Sequence, residues 1–258
     1  MRCWGLGSTG QLGYGNTTTI GDDESPASVG PVDLGPGRTA TAISAGSSHT
    51  CAVLDTGQVR CWGLGSDGQL GYGNIDDIGD DESPASVGPV DLGPGRTATA
   101  ISAGDFHTCA VLDTGEVRCW GMGSAGQLGY GNLNAIGDDE TPASAGPVDL
   151  GPGRMALAIS ADALHTCAIL DSGRLRCWGF GGDGQLGYGN TATIGDDETP
   201  AAAGPADLGG TLVTRVASAS VALQRPVDEA EVGEQIAATA TITNAGPDAT
   251  LVRVALRS

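Results

Sequence analysis

The feature that most constrains the fold of this chain is a strict tandem repeat. The tetrapeptide Arg-Cys-Trp-Gly occurs four times, starting at Arg2, Arg60, Arg118 and Arg176. The period is therefore 58 residues, with no insertion or deletion between copies, and residues 6–63 and 64–121 differ at only seven positions. A fixed period of this kind is typical of repeat architectures, in which each copy packs against its neighbours.

Strand and turn signals alternate inside each period. Residues 39–45 are rich in β-branched residues and alanine, and they end at a glycine. Residues 49–54 and 58–62 flank Asp55-Thr56-Gly57, a three-residue loop that predicts a β-hairpin closed by a left-handed glycine. Residues 87–92 indicate a short edge strand, because Pro89 lacks the N–H that a central strand would need.

This pattern predicts an all-β fold of four-stranded antiparallel sheets, arranged as the blades of a β-propeller. A helical solenoid is excluded, because the 3.6-residue apolar period is absent and the glycine spacing would break helices. Three full blades are expected at about residues 38–92, 96–150 and 154–208, after a half blade that starts at Arg2. One further strand is expected at 211–218, so the predicted propeller domain covers 1–218 as an incomplete arc.

Three segments of the period carry a resemblance to a known family. They are His49-Thr50-Cys51-Ala52-Val53-Leu54, Val59-Arg60-Cys61-Trp62-Gly63 and Gly68-Gln69-Leu70-Gly71-Tyr72-Gly73. Together they resemble the regulator-of-chromosome-condensation repeat, in the disulfide-bearing bacterial form, over roughly residues 2–218. The resemblance implies propellers that usually have seven blades and act as guanine-nucleotide exchange factors on chromatin, as interaction modules, or as secreted bacterial binding and inhibitor proteins. Exchange activity is disfavoured, because periods of equal length leave no room for the insertions that it requires.

The cysteines fall at positions that face each other across the predicted hairpin. Counting back from the loop places Cys51 opposite Cys61, and the Cα separation of about 4.5 Å in such a pair suits a disulfide. The predicted disulfide cysteines are Cys51, Cys61, Cys109, Cys119, Cys167 and Cys177. Free buried thiols, a zinc site with His49 and a catalytic Cys-His pair remain alternatives. Cys3 is left without a partner, and disulfides would indicate an oxidising compartment.

Acidic residues recur in every period and give the chain a formal charge of −19. Such a surface repels phosphate backbones, so a nucleic-acid partner is not expected. Three carboxylates stand together in each acidic turn, which makes weak calcium ligands of Asp22, Asp23, Glu24, Asp80, Asp81 and Glu82. A solvated acidic turn is the alternative, and no other cofactor or metal is expected.

Differences between nearly identical copies mark positions that the fold does not dictate. They concentrate in the loop after each Asn of the Tyr-Gly-Asn motif and just before each histidine. Because loops on a rigid scaffold commonly bind partners, the predicted contact residues are Ile75, Asp76, Asp77, Asp105, Phe106, Leu133, Asn134 and Leu164. The tryptophan and tyrosine of each period are interpreted as packing residues, with a carbohydrate-stacking row as the alternative.

After residue 218 the repeat stops. Residues 219–258 resemble the opening of the immunoglobulin-like repeat domains of bacterial secreted and surface-anchored proteins, and they predict part of a β-sandwich. No apolar run is long enough to span a membrane. The leading hypothesis is a non-enzymatic binding or adhesion scaffold, extracellular or on a bacterial cell surface, that contacts protein or glycan and has no catalytic residues. A secreted enzyme inhibitor is the alternative, and a hydrolase is a third class.

Overall fold

The computed structural model describes residues 1–209, 216–223, 238–244 and 252–255. The chain divides into two compact units, residues 1–208 and residues 209–258. Among the described residues no helix has the length and apolar character needed to cross a membrane. The first unit contains the three full blades expected at about residues 38–92, 96–150 and 154–208.

The first unit contains three antiparallel sheets of three strands, one for each full copy of the repeat. The first sheet is β1 (Ala40–Ala45), β2 (His49–Leu54) and β3 (Val59–Gly63). The second is β4 (Ala98–Ala103), β5 (His107–Leu112) and β6 (Val117–Gly121). The third is β7 (Ala156–Ala161), β8 (His165–Leu170) and β9 (Leu175–Gly179). In each sheet the middle strand in sequence is also the middle strand in space.

The predicted hairpin is confirmed in its turn and its register. Gly57 has φ 76°, a left-handed conformation that favours glycine. Cys51 lies directly opposite Cys61 in the ladder between β2 and β3. All three predicted disulfides are present, and they join Cys51 to Cys61, Cys109 to Cys119 and Cys167 to Cys177.

The prediction of a fourth strand is wrong, because the sheets have three strands each. Residues 87–92 do run beside β3, but only one backbone hydrogen bond joins them, from the Val90 N–H to the Val59 carbonyl at 2.8 Å. Pro89 has no N–H to donate, and Gly88 takes a φ of 79°. A ladder therefore cannot extend along this segment.

Two short helices were not predicted. They are α1 (Pro142–Ala145) and α2 (Pro200–Ala203). The equivalent segment of the preceding copy, which starts at Pro84, forms turns and ends in Val87 where α1 has Ala145. Alanine favours the helix over β-branched valine, which agrees with the helices of the later two copies.

Successive sheets pack face to face in the order of the sequence. Strand β2 contacts β4, and β5 contacts β7. The largest buried side chains include Trp62, Trp120 and Trp178, and the Trp120 indole N–H donates to the Gln69 carbonyl of the preceding copy at 3.0 Å. Removing this apolar surface from water is the main force that holds one copy on the next.

The second unit contains one described sheet of three antiparallel strands. These are β10 (Val216–Leu223), β11 (Ala238–Asn244) and β12 (Val252–Ala255), with β11 in the middle. The strand expected at 211–218 falls partly on residues 210–215, which lie outside the described residues. Its described part belongs to β10, which pairs with β11. Only part of a β-sandwich is expected for residues 219–258, and the described residues of this unit form a single sheet, so a sandwich is not shown.

Candidate functional site: the divergent end of the sheets

Each sheet has two ends, and the sequence differences between the two most similar copies, residues 6–63 and 64–121, are unevenly divided between them. We call the end where β1 stops, β2 starts and β3 stops the divergent end. The other end, formed by the β2–β3 hairpin loop and the start of β1, is called the ion-pair end. Six of the seven differences between residues 6–63 and 64–121 fall in loops at or beside the divergent end; the seventh, Gln58 against Glu116, lies in the hairpin of the ion-pair end.

Backbone contacts bring both classes of divergent loop to the same end. The Leu64 N–H donates to the Ser48 carbonyl at 2.9 Å, beside the turn between β1 and β2. Gly63 forms an isolated bridge with Ile78, at the close of the loop that contains Ile75 to Asp77. The end of β3 therefore lies between the two loops and holds them next to each other.

The acidic turn of one copy lies against the divergent loop of the preceding copy. The Asn16 N–H donates to the Gly79 carbonyl at 3.1 Å, and the Gly73 N–H donates to the Gly137 carbonyl at 3.0 Å. Divergent loops and acidic turns thus alternate along one edge of the stack. We call this continuous strip the rim band, formed by residues 16–19, 74–77, 132–135 and the acidic turns 80–82, 138–140 and 196–198.

The rim band combines exposed apolar side chains with carboxylates. Ile75 is 59% exposed and Leu133 is 53% exposed. Asp76 and Asn134 are exposed as well. Exposed apolar side chains within a polar surrounding are typical of contact surfaces for other molecules.

Four predicted contact residues are less accessible than expected. They are half-buried and comprise Asp77, Asp105, Phe106 and Leu164. The Asp77 carboxylate accepts a hydrogen bond from the Gly65 N–H at 2.8 Å, and Asp105 accepts one from the Ser47 hydroxyl at its backbone carbonyl, 2.9 Å away. These two residues shape the loops, whereas Ile75, Asp76, Leu133 and Asn134 present side chains to solvent.

The structure brings together the three carboxylates of each acidic turn. Ligand atoms of Asp80, Asp81 and Glu82 lie within 4.8 Å of one another, and Asp22, Asp23 and Glu24 form the same group one copy earlier. Burial, followed by hydrogen bonding to Asp81, raises the pKa of Glu82 to about 7. Crowded carboxylates compete for protons in this way with or without a bound cation, so calcium binding stays a prediction.

The alternatives that required free cysteines are excluded for the six paired residues. Their sulfurs are joined in disulfides, so they offer no thiolate to zinc or to a substrate. His49 and His107 are buried and hydrogen-bond the hydroxyls of Thr108 and Thr166, each at 2.8 Å. These histidines therefore join successive sheets.

The carbohydrate-stacking row is contradicted for the tryptophans of the three sheets. Trp62, Trp120 and Trp178 are 0% exposed and so present no ring face to a sugar. The tyrosines clamp the backbone instead: the Tyr72 hydroxyl accepts from the Cys61 N–H and donates to the Cys61 carbonyl, each at 3.1 Å. Burial raises the pKa of Tyr72 to about 12, so the hydroxyl keeps its proton.

The ion-pair end has a feature that sequence reasoning missed. Beside the hairpin loop lies a cavity of about 520 Å³ lined by residues such as Gln58, Pro89 and Arg96, and a cavity of about 510 Å³ recurs one copy later. Arg96 pairs with Asp113 at 3.4 Å across the next hairpin. The lining residues are turn and proline residues, which carry no separate sequence signal for a cavity.

Comparison with known proteins agrees with the arrangement of sheets. Two family models, both described as the regulator of chromosome condensation (RCC1) repeat, match this chain. One matches residues 3–53 and 56–111, and the other matches 40–69, 98–127 and 158–185. Together they cover more than half of the chain. The fold is that of a tandem-repeat propeller protein, and the chain belongs to the RCC1 repeat family.

Curated relatives share the repeat over part of their length. The chain is 34% identical to the ultraviolet-B receptor UVR8 of Arabidopsis thaliana over 188 residues, which is 72% of this chain and 39% of that protein. It is 33% identical to the probable E3 ubiquitin-protein ligase HERC3 of Homo sapiens over 192 residues, 74% of this chain and 17% of that protein. The chain thus spans less than half of these relatives.

Solved structures share the fold at low sequence identity. Yeast RCC1 (Prp20) in complex with Kap60 matches with a TM-score of 0.57 and 19% identity, over 76% of this chain and 43% of that chain. Prp20p from Saccharomyces cerevisiae, described with its binding to Gsp1p and histones, gives 0.56 and 20% over 76% of this chain and 45% of that chain. Human WBSCR16 gives 0.57 and 19% over 98% of this chain and 65% of that chain. These likenesses support the propeller fold.

Proposed function

We propose that this protein is a non-enzymatic binding scaffold that contacts a partner protein through the rim band. The observation that carries the proposal is the concentration of differences between the two most similar copies, residues 6–63 and 64–121, at one end of the sheets. Side chains that pack between successive sheets tolerate few substitutions, so sequence variation accumulates where side chains face solvent. A row of loops on a rigid stack then offers several contacts to one partner.

Charge favours a basic partner surface. Acidic turns adjoin the divergent loops at each joint of the rim band, and the chain has a net charge of −19. Complementary charge mainly raises the rate of encounter and fixes orientation, whereas apolar anchors such as Ile75 and Leu133 supply affinity. Binding of Gsp1p and histones is described for Prp20p, which makes a protein partner the leading choice over a glycan.

We further propose that the scaffold acts outside the cell, secreted or displayed on a bacterial surface. Three disulfides support this location, because such bonds persist in oxidising compartments and are rare in the cytosol. An adhesive role would follow from display of the rim band on such a surface. Mass analysis of the protein isolated from its native compartment tests the location: intact disulfides are expected, and six free thiols there would contradict it.

The test of the binding face uses a loop exchange designed from the chain itself. Replacing Ile75-Asp76-Asp77 by the Thr17-Thr18-Thr19 of the preceding copy removes the apolar anchor and two charges while keeping a loop that this fold already accepts. The probes are purified histones, as a basic protein, and a glycan array. We expect histone binding that weakens with salt and falls by about tenfold in the exchanged variant.

The matched control changes the ion-pair end. Gln58→Glu copies the residue found at Glu116 and should leave binding unchanged, although it adds a negative charge of its own. Stronger binding in Gln58→Glu beside weaker binding in the exchanged variant would assign the effect to overall charge, because the first adds a negative charge and the second removes two. Absence of histone binding together with a glycan signal would replace the protein partner by a carbohydrate, and insensitivity to the loop exchange would overturn the proposed face.

A further inference from the structure

The two cavities at the ion-pair end are copies of one site. We call them the first cavity, of about 520 Å³, and the second cavity, of about 510 Å³. In each, one wall is the loop between the second and third strands of a sheet, and the other is the segment that leads into the next sheet. One hydrogen bond of 2.8 Å joins the walls, from the Ala98 N–H to the Gly57 carbonyl in the first cavity and from the Ala156 N–H to the Gly115 carbonyl in the second.

The two cavities differ at only two positions. Their ten lining residues lie 58 positions apart in the sequence, and eight of them are identical. The exceptions are Gln58, which is replaced by Glu116, and Thr97, which is replaced by Met155. The second cavity therefore has a carboxylate and a thioether where the first has an amide and a hydroxyl.

The carboxylate of Glu116 is not needed by the hairpin. Gln58, Glu116 and Arg174 occupy the same place in the three hairpins and are all exposed, although one is neutral, one negative and one positive. The side chains of Gln58 and Glu116 each accept a hydrogen bond from the threonine two residues earlier, at 3.2 and 3.1 Å. Glu116 belongs to no ion pair among the described residues, so its charge is available to a ligand.

The other charged groups of the second cavity are already engaged. The Asp149 carboxylate accepts from the Gly151 N–H at 2.9 Å and from the Thr199 hydroxyl at 3.2 Å. Arg154 pairs with Asp171 at 3.4 Å. The first cavity has an aspartate and a paired arginine at the same places, so Glu116 is the charge that distinguishes the second cavity.

Met155 supplies an apolar wall beside this charge. A Cβ placed on Gly115 would lie 2.6 Å from the Met155 Cβ and 3.3 Å from its sulfur, so the side chain lies over the loop that ends at Glu116. Met155 is 47% exposed, and Pro147 is exposed in the same cavity. A thioether adapts its shape to what it contacts. An alkyl chain can therefore pack between these two residues with its end at the carboxylate.

We propose that the second cavity binds a lysine or arginine side chain of a partner polypeptide. The alkyl stem packs on Met155 and Pro147, and the cation pairs with Glu116. Basic side chains commonly lay their stems on apolar surface while their charged ends stay near water, and the second cavity offers both parts. This site lies at the opposite end of the sheets from the rim band and does not rest on the function proposed for it.

The experiment uses short uncharged glycine-serine peptides with one variable central residue. Lysine and arginine are compared with norleucine, which has a stem without charge, and with diaminopropionate, which has charge on a short stem. Fluorescence anisotropy of labelled peptides measures affinity for the full chain. We expect both basic peptides to bind about fivefold more tightly than either control, with the gain over norleucine falling as salt is added.

The methionine methyl groups report where the peptide binds. The chain has three methionines, Met1, Met122 and Met155, so NMR of methyl-labelled protein should give three signals, and Met155→Thr assigns one of them. The lysine peptide should shift the Met155 signal and leave that of Met122 in place. Exchange of the rim-band loop Ile75-Asp76-Asp77 for Thr17-Thr18-Thr19 should not alter this response, which separates the two sites.

The variants introduce residues that other copies already carry. Glu116→Gln copies Gln58 and should weaken lysine-peptide binding about fivefold, Met155→Thr copies Thr97 and should weaken both basic peptides, and Glu116→Arg copies Arg174 and should abolish binding. The double variant Gln58→Glu with Thr97→Met should create a second site in the first cavity, and the methyl group added at position 97 should then respond to the lysine peptide.

Three results would overturn the proposal. Equal affinity for the lysine and norleucine peptides would show that charge is not recognised, and equal affinity for diaminopropionate would show that the stem is not. A lysine peptide that does not shift the Met155 signal, or that binds Glu116→Arg as well as the wild type, would place any binding outside the second cavity.

Discussion

At the scale of residues, a short chain of hydrogen bonds connects one copy of the repeat to the next. The Thr108 hydroxyl donates to the Gln69 carbonyl at 3.0 Å, and its one proton is therefore used. His49 must then be the donor in its 2.8 Å contact with Thr108, so its Nε2 carries the proton. The same Gln69 carbonyl accepts from the Trp120 indole at 3.0 Å. One backbone carbonyl thus fixes two side chains of the next copy.

Replacing the threonine that links two successive copies should show how much these hydrogen bonds stabilise the fold. Thr108→Val keeps the shape but leaves the buried His49 donor without an acceptor, and we expect a loss of about 2–4 kcal/mol in the free energy of unfolding. The matched control is Thr50→Val, because Thr50 donates to Gln11 at 3.0 Å but receives no histidine. Its cost should be about 1–2 kcal/mol. Urea denaturation measures both, and equal losses would contradict the role of the histidine.

The buried histidines should make stability depend on pH. Burial lowers the pKa of His49 to about 4, and burial followed by the neighbouring histidines lowers that of His107 to about 3, from an ordinary value of 6.5. A lowered pKa means that the unfolded chain binds more protons. The stability held above pH 6.5 is therefore lost as the pH falls towards these lower values.

The expected size of this loss is on the order of 2 kcal/mol for each histidine at about pH 5. His107→Gln keeps a donor for Thr166 but removes the titration, so its stability should fall less on acidification. The difference between the wild type and the variant isolates His107. Acidic-turn glutamates with raised pKa values, such as Glu82, change the stability in the opposite direction, but they do so equally in both proteins. If the free energy of unfolding depended on pH in the same way in the wild type and the variant, this would contradict a neutral, buried His107.

At the scale of elements, the hairpin was the part that sequence could specify best. Its register follows from a three-residue loop and a strict alternation of side chains. The fourth strand failed because a proline leaves only one hydrogen bond where a ladder needs several. The short helix α1 escaped prediction because its segment differs little from the turn-forming segment of the preceding copy, and local propensity is a weak guide at four residues.

The three disulfides should differ in their resistance to reduction. Cys51, Cys61, Cys109 and Cys119 are 0% exposed and lie between sheets. Cys167 is half-buried, and within the first unit no further sheet follows the one that contains β8. A reductant should therefore reach the Cys167–Cys177 bond first.

Timed alkylation followed by peptide mass analysis checks this order. The modified peptides of Cys167 and Cys177 should appear well before those of the other four paired cysteines in the folded protein. In denaturant the order should vanish, because all three bonds then meet solvent alike. Reduction of the Cys51–Cys61 bond first in the folded protein would contradict the arrangement of the sheets.

At the scale of the whole molecule, periodicity gave the architecture and little about the site. Nearly identical copies imply nearly identical interfaces between them, so the positions of Trp62 and its equivalents predict that the copies stack in sequence order. The meeting of each divergent loop with the acidic turn of the next copy depends on contacts between residues about 60 positions apart, as in the bond from Asn16 to Gly79. No local sequence signal reports such a contact, and so the rim band emerged only from the structure.

The tryptophans test the stacking of successive copies most directly. Trp62 and Trp120 donate their indole N–H groups to Gln11 and Gln69 of the preceding copies, each at 3.0 Å, and Trp178 is equally buried. Trp4 is 64% exposed. Hydrogen exchange of the four indole N–H groups, followed by NMR on tryptophan-labelled protein, should give three slow signals and one fast signal that disappears in Trp4→Phe. Four fast signals would contradict the stacked sheets.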